Sequence, residues 1–478
     1  MTDGAGPKVL IVASEAMPFV KTGGLADVVG ALPRALKRQG VEAAVMIPNH
    51  RRVKELYQDE LETVAVSGVR LGWRDKYLGV RTLTRNGVRY YFIDNEDYFG
   101  GAVYRGGDDE SEQYLFFCAA VLAAVPLLDF KPDVIHCNDW HTGMIPMLLK
   151  IREGLGFDCR SVFTIHNIKF QGMMGFEMMR DFLSIPDRYY TPEFLEAHGC
   201  ANMMKAGLVF ADRITTVSPT YAREITEPFF GMGMEGILAA RRNDLTGIVN
   251  GIDTEEFDPE TDPAIARRYG VETMKDKSEN KKALRREFGL GVRLYDPIVC
   301  MVNRLTAQKG LDLIQYVLEE LLREEIGFVM LGDGDGKYVD FFNYIATKYP
   351  RNTGVYIGYD EDMAHRIYAG SDFLLMPSMF EPCGLSQMIA QRYGTLPIVR
   401  ETGGLADTVT PYNRYTKTGD GFSFGAFNAH DMLHVIRLAL ATYRDKPMLR
   451  RLKKNAMLKD NSFFQSAKRY KSLYESMK

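Results

Sequence analysis

Lys21-Thr-Gly-Gly-Leu-Ala-Asp27 returns late in the chain as Glu401-Thr-Gly-Gly-Leu-Ala-Asp407, with six of the seven residues unchanged. Each copy follows an apolar run and precedes a helical one. Paired glycines let a backbone come close to a ligand, and the helix behind them turns free N–H groups toward an anion. Working outward from the first copy, Lys8–Ala13 reads as a β-branched strand, and Leu25 to Arg38 as a helix bent at Pro33. Val41–Ile47, Tyr90–Ile93, Val134–Cys137, Ser161–Ile165 and Arg213–Val217 continue as strands, with helical patterns between most of them. Around the second copy the theme repeats. Ile298–Val302, Phe328–Leu331, Gly354–Ile357, Phe373–Met376 and Leu396–Val399 are short apolar strands, separated by helices such as Leu311–Arg323 and Asp360–Ala369. This alternation builds mostly parallel sheets with helices on both faces. The repeat therefore predicts an α/β protein of two doubly wound domains, with similar loops at the carboxyl ends of strands, where such sheets bind ligands. Asp253–Lys282 is rich in charge and proline and reads as irregular linker, which sets the boundary near Gly251. The domains are then 1–250 and 251–459, and the amphipathic stretch Ser462–Met477 could pack on either of them.

Composition narrows the function classes. The chain has 478 residues, 46% hydrophobic and 25% charged, which suits a folded globular protein of two or three domains. Its 59 basic and 62 acidic residues leave a net charge of -3, without the basic excess of a protein living on nucleic acid or an anionic membrane. Six cysteines are scattered with no CxxC pair, so reduced thiols are expected rather than a zinc knuckle or a disulfide framework. The N-terminus lacks a signal-peptide pattern, and the apolar run within Phe116–Leu128 contains Pro126 and is shorter than the roughly 20 residues a spanning helix needs. A cytoplasmic location is the expectation; no oligomeric state is specified. GxGxxG after the first strand and GxxxxGK[ST] are absent, which disfavours dehydrogenases and P-loop NTPases.

Several stretches could carry chemistry. Lys21, Gly23 and Gly24 make a cradle for phosphate or sugar hydroxyls, although a plain βα turn with a solvated lysine would look the same. His136-Cys-Asn-Asp139-Trp140-His141 puts a carboxylate, two imidazoles and an indole at a strand end. It reads as sugar recognition, as a metal site through His136, Asp139 and His141, or as a buried polar strand end; metal is the weaker reading, because alternate strand residues face opposite ways. His166 ends another strand. Arg304 and Lys309 flank a turn before a helix, where two cations would favour the extra charge of a departing diphosphate. Glu381-Pro-Cys383-Gly384-Leu385 follows a strand, and Glu381 could bind sugar hydroxyls or a ribose.

In this order and spacing the motifs resemble the bacterial glycogen synthase and plant starch synthase family, over nearly the whole chain. The resemblance rests on Lys21–Val28, His136–His141, His166-Asn167, Asn250-Gly251, Arg304–Gly310, Tyr359, Glu381–Leu385 and Gly394–Val409. It implies a GT-B glycosyltransferase, two Rossmann-like doubly wound domains facing a deep central cleft, with 460–478 packing back on the first. The implied reaction moves glucose from ADP-glucose to the end of a glycogen or malto-oligosaccharide chain, with retention, no metal and no cofactor. Carried over, Lys21, Gly23 and Gly24 would contact the donor's phosphates and glucose. Asp139 would serve the acceptor side or the reacting glucose, and His166 would lie beneath the anomeric carbon. Arg304 and Lys309 would hold the diphosphate, and Tyr359 would stack on adenine. Glu381 would bind glucosyl hydroxyls beside the backbone of Cys383, Gly384 and Leu385. Asn250, Thr402, Gly403 and Gly404 complete the implied donor set. Lys21, Asp139, His166, Arg304, Lys309 and Glu381 are the implied catalytic group. The sequence departs from the pattern at Asn303, where the family usually has Ser. It departs again at Ile389, where related retaining transferases carry a second Glu.

The implied mechanism is front-face attack by a glucan hydroxyl, with the leaving phosphate taking the proton; double displacement through Asp139 or Glu381 is the alternative. Rival readings are a UDP-glucose-dependent transferase of the same fold, a pyridoxal-dependent phosphorylase and a non-catalytic sugar-binding protein.

Overall fold

Lys8 and four aliphatic residues after it form the first strand, Lys8–Val12 (β1), nearly all of it buried. Burial on both faces is the mark of a central strand of a parallel sheet. The computed structural model describes residues 6–477. It divides into two units, Met1–Asn250 with Phe463–Lys478, and Gly251–Ser462.

The first unit holds β1, then Glu42–Pro48 (β2), Glu62–Leu71 (β3), Arg74–Arg85 (β4), Val88–Asp94 (β5), Val134–Asn138 (β6) and Arg160–Ile165 (β7). Three short strands follow, Met173–Met174 (β8), Glu196–Ala197 (β9) and Cys200–Asn202 (β10), then Arg213–Thr216 (β11) and Leu245–Gly247 (β12). The large sheet has the order β12-β11-β7-β6-β1-β2-β5-β4-β3, and β8, β10 and β9 make a separate small sheet. All neighbours from β12 through β5 are parallel, while β3 and β4 form an antiparallel hairpin at one edge. The hairpin is absent from the sequence reading. Its exposed, polar strands lack the apolar runs that mark the buried ones. Its own signal is the two-residue turn Gly72-Trp73, with Gly72 at a φ of 61°.

Helix Gly24–Arg38 runs on through Pro33 and buries Leu25, Val28, Val29, Leu32 and Leu36. The C-terminal helix Phe463–Glu475 packs against it through Phe463, Ala467, Tyr470 and Tyr474. The long apolar run of the sequence lies in helix Gly107–Ala124, whose buried residues cover nearly its whole circumference. A helix apolar all round belongs in a core. Among the described residues no helix is long and apolar enough to cross a membrane.

The second unit contains Ile298–Val302 (β13), Gly327–Gly332 (β14), Thr353–Ile357 (β15), Phe373–Met376 (β16), Leu396–Arg400 (β17) and Phe422–Phe424 (β18). They form one parallel sheet in the order β15-β14-β13-β16-β17-β18. The stretch read as a linker is corrected by the structure. Helix Lys277–Glu287 begins inside it, and Asp262 within it is buried against His365 and Tyr393. Three of its charges, Asp262, Lys277 and Lys281, are core partners, while most of the others are exposed. Lys281 and Lys453 both reach Asp372, at 2.6 and 3.0 Å, and Lys277 donates to the carbonyls of Tyr368 and Ala369. Burial by itself would raise the Asp372 carboxyl, but the two ammonium groups outweigh it and hold it well below the usual range.

Candidate active site

In the first sheet the chain runs from β1 to β2 on one side, and later places β6 on the other. The loops leaving β1 and β6 therefore flank a switch point, where doubly wound sheets hold ligands. The β1 loop carries Lys21, Gly23 and Gly24, with Gly23 capping the helix that begins at Gly24. Lys21 Nζ lies 2.8 Å from Asp27 Oδ1. Under this loop sits Glu15, 1% exposed, whose Oε2 accepts from the Thr22 amide at 2.6 Å and from its hydroxyl at 2.7 Å. Burial lifts the Glu15 carboxyl to about 7, against the pull of those hydrogen bonds.

Asp139, just past β6, adopts a φ of 57°, which is rare outside glycine and typical of functional sites. Its Oδ1 accepts from the amides of His166 and Asn167 at 2.7 and 3.3 Å. Burial raises this carboxyl to about 7, and the charge of Glu15 adds to the rise. His166 Nε2 is hydrogen-bonded to Asn138 Oδ1 at 2.9 Å, and burial pushes its imidazole down to about 3. The structure thus brings Asp139 into contact with His166 through the His166 backbone amide, while the imidazole itself is held by Asn138.

Two readings of the His136–His141 stretch are corrected. Both ring nitrogens of His136 are occupied, by the Tyr474 hydroxyl at 2.7 Å and the Thr164 hydroxyl at 2.5 Å, so it is a core residue rather than a metal ligand. Trp140 is buried against Tyr114 and His141, with Gly172 pressed on its ring, so its indole offers no open face to a sugar.

The second sheet repeats the logic. From β13 the chain goes to β14 on one side, and β16 lies on the other. The loop after β13 carries an exposed Arg304 and a mostly buried Lys309. The loop after β16 carries Glu381. Lys309 Nζ lies 2.6 Å from Glu381 Oε2, which also accepts from the Ser378 hydroxyl at 2.9 Å. The second Gly-Gly copy closes on the same place. The Gly404 amide donates to the carbonyls of Glu381 and Pro382, and a Cβ on Gly403 would sit 2.0 Å from the Glu381 carbonyl. Gly403 also has a φ of 45°, so glycine is required twice over. Thr402 caps the helix beginning at Gly403. Gln387, fully buried, donates to the carbonyls of Cys383 and Gly384 and to Thr408, which ties the two loops together; Leu385 precedes the helix that carries it. Ile389 lies buried in that helix. Tyr359 follows β15 with a ring 73% exposed. Asn250 is the last residue of the first unit, and its side-chain oxygen is buried without a hydrogen-bond partner among the described residues.

Sequence reasoning missed Glu15, Asn138, Ser378 and Gln387. Each had a signal, a polar residue within a few positions of an apolar strand's carboxyl end or behind a glycine loop. The partners that give them meaning are distant in sequence or hidden in turns.

Residues 8–240 match the family model described as starch synthase catalytic domain, and residues 285–459 that of glycosyl transferases group 1. A protein named glycogen synthase from Geobacillus thermodenitrificans is 51% identical over 98% of this chain and 98% of its own length. One from Bacillus cereus is 48% identical over 98% and 99%. The solved catalytic domain of starch synthase IV from Arabidopsis thaliana, bound to ADP and acarbose, has a TM-score of 0.91 at 31% identity and covers 98% of this chain and 99% of that one. A sucrose-phosphate synthase from Thermosynechococcus elongatus, at TM-score 0.61 and 15% identity over 98% and 99%, shares the fold alone.

Proposed function

The chain belongs to the glycogen synthase family, and from that premise we propose that it transfers glucosyl units from ADP-glucose to the end of an α-1,4-glucan, with retention and release of ADP. Its fold is the two-domain α/β class of GT-B glycosyltransferases. The observation that carries the donor side is the Lys309–Glu381 ion pair at the switch point of the second sheet, with Arg304 on the same loop. Two cations there suit a diphosphate that gains charge as the glycosidic bond breaks. The ADP held by the starch synthase IV neighbour supports an adenine nucleotide as that leaving group. Tyr359 is the residue proposed to stack on the base, and the Cys383–Leu385 and Thr402–Gly404 backbones to line the sugar and phosphates. Asn250 joins this donor set.

Neither carboxylate is arranged as a nucleophile. Asp139 is raised to about 7 and engaged by two amides, and Glu381 is pinned between Lys309 and Ser378. This supports front-face attack, in which the acceptor hydroxyl passes its proton to the departing phosphate. The neutral His166 then serves to orient the reacting sugar rather than to carry charge. The reaction as proposed uses no metal and no organic cofactor, and the cytoplasm is the compartment this reading assigns.

The test is glucose incorporation into glycogen, with ADP-glucose and UDP-glucose offered separately in the presence of a chelator. Rapid incorporation from ADP-glucose is expected. Incorporation only from UDP-glucose would overturn the donor, and a trapped covalent glucosyl-enzyme would overturn the front-face step.

A further inference from the structure

We propose that Glu15 is a positioning residue for the transfer reaction, holding the Lys21–Gly24 loop in its ligand-binding shape through Thr22. The inference rests on the reading above and extends it to a residue outside the implied catalytic set. Between β1 and the helix at Gly24 the chain forms neither a strand nor a helix, so side-chain hydrogen bonds must help to fix its course. One oxygen of Glu15 takes both the amide and the hydroxyl of Thr22, the residue between Lys21 and Gly23. The carboxylate lies beneath the glycine pair, since a Cβ on Gly23 would stand 3.7 Å from Glu15 Oε1. The second copy of the motif is held differently, by backbone bonds from Gly404 to the Glu381 loop. In the first copy a side chain takes that part.

The choice of a carboxylate is costly at this place. Glu15 is almost wholly buried, and Asp27 on the following helix, Asp139 past β6 and Tyr104 all interact with it electrostatically. A carboxyl buried beside two others is costly, and such groups cluster at functional sites. Its Thr22-bonded oxygen points at the loop backbone, so its action on substrate runs through the loop.

The experiment compares wild type with Glu15→Ala, Glu15→Asp, Glu15→Gln, Thr22→Val and the Glu15→Ala/Thr22→Val pair. Glu15→Asp keeps the charge but falls one methylene short of Thr22, which covers the case in which Glu15→Ala does not fold. Loss of charge-assisted hydrogen bonds predicts a rise of about tenfold or more in the ADP-glucose KM for Glu15→Ala and Glu15→Asp, with the glycogen KM within about twofold. Glu15→Gln, which still accepts from Thr22, restores most of the loss. Thr22→Val is harmful alone and adds nothing in the Glu15→Ala background, because coupled residues are not additive. Hydrogen exchange at the Thr22 amide quickens in Glu15→Ala and Glu15→Asp, and this is read without turnover. Unchanged exchange would overturn the proposal, as would additive effects with a raised glycogen KM, which would mean that Glu15 touches the acceptor itself. If wild type makes no glucan from ADP-glucose, the reaction reading fails while the exchange data still decide the role of Glu15.

Discussion

Lys309→Ala separates leaving-group stabilisation from simple structural pairing. Lys309 and Glu381 are 2.6 Å apart with side chains only 13% and 8% exposed, so the pair is largely desolvated. Breaking such a pair by deleting one partner costs about 3–5 kcal/mol of stability; the residual exposure of Lys309 puts the expectation near 3. The catalytic loss has a different origin. A preorganised charge aimed at a developing anion is worth about 2.7–4 kcal/mol in the transition state, or about a hundred- to a thousandfold in kcat. Initial rates of glucose incorporation from ADP-glucose should therefore show a large fall in kcat and a smaller rise in donor KM, with a lowered Tm. Adding Glu381→Gln isolates the stability effect, since Glu381 itself stands at the proposed donor site. It neutralises the stranded carboxylate and should recover stability without recovering turnover. A kcat within about threefold of wild type, or turnover restored along with stability in the double variant, would refute the leaving-group role.

Asp372→Asn leaves Lys281 and Lys453 buried without their counter-charge and should cost about 3–5 kcal/mol, read as a shifted denaturation midpoint. Gly403→Ala places a methyl against the Glu381 carbonyl at a positive φ, so the donor KM should rise and Tm should fall together, seen in kinetics and calorimetry on one preparation. Tyr359→Ala should leave Tm unchanged, because the ring is exposed, and raise the ADP-glucose KM by the ~1–3 kcal/mol of a base stacked on an aromatic ring. The Glu15 carboxyl is raised from 4.5 to about 7, so the folded protein binds the extra proton and wild-type stability falls as pH rises through that window. The Tm of Glu15→Gln relative to wild type should accordingly climb between pH 4.5 and 7 and level off above; a flat difference would contradict the shift.

The central strands of both sheets were legible because they are short apolar runs between turn residues, and β16 matches its expected span, Phe373–Met376, to the residue; the two- and three-residue strands β8, β9, β10, β12 and β18 are too short to show such a run. Parallel pairing followed from the helices between them. The β3–β4 hairpin was not legible by the same criterion, since an edge pair half in solvent needs no apolar run. Lys21, Asp139, His166, Lys309 and Glu381 stand out as candidates because they are polar or charged residues near strand ends, and strand ends are visible in sequence. Their partners could not. Glu15 under Thr22, Asn138 on His166, Ser378 on Glu381 and Gln387 across two loops depend on how turns fold back. Whether Trp140 faces a sugar or the core depends on helix Gly107–Ala124 and Gly172 closing over it. By itself the sequence determined the layered α/β architecture and the chemistry available at the strand ends, because both rest on local periodicity and residue type. Only the tertiary structure decided which carboxylates are buried and raised, which imidazoles are neutral and which cation is paired, because burial and electrostatics are set by neighbours far away in the chain.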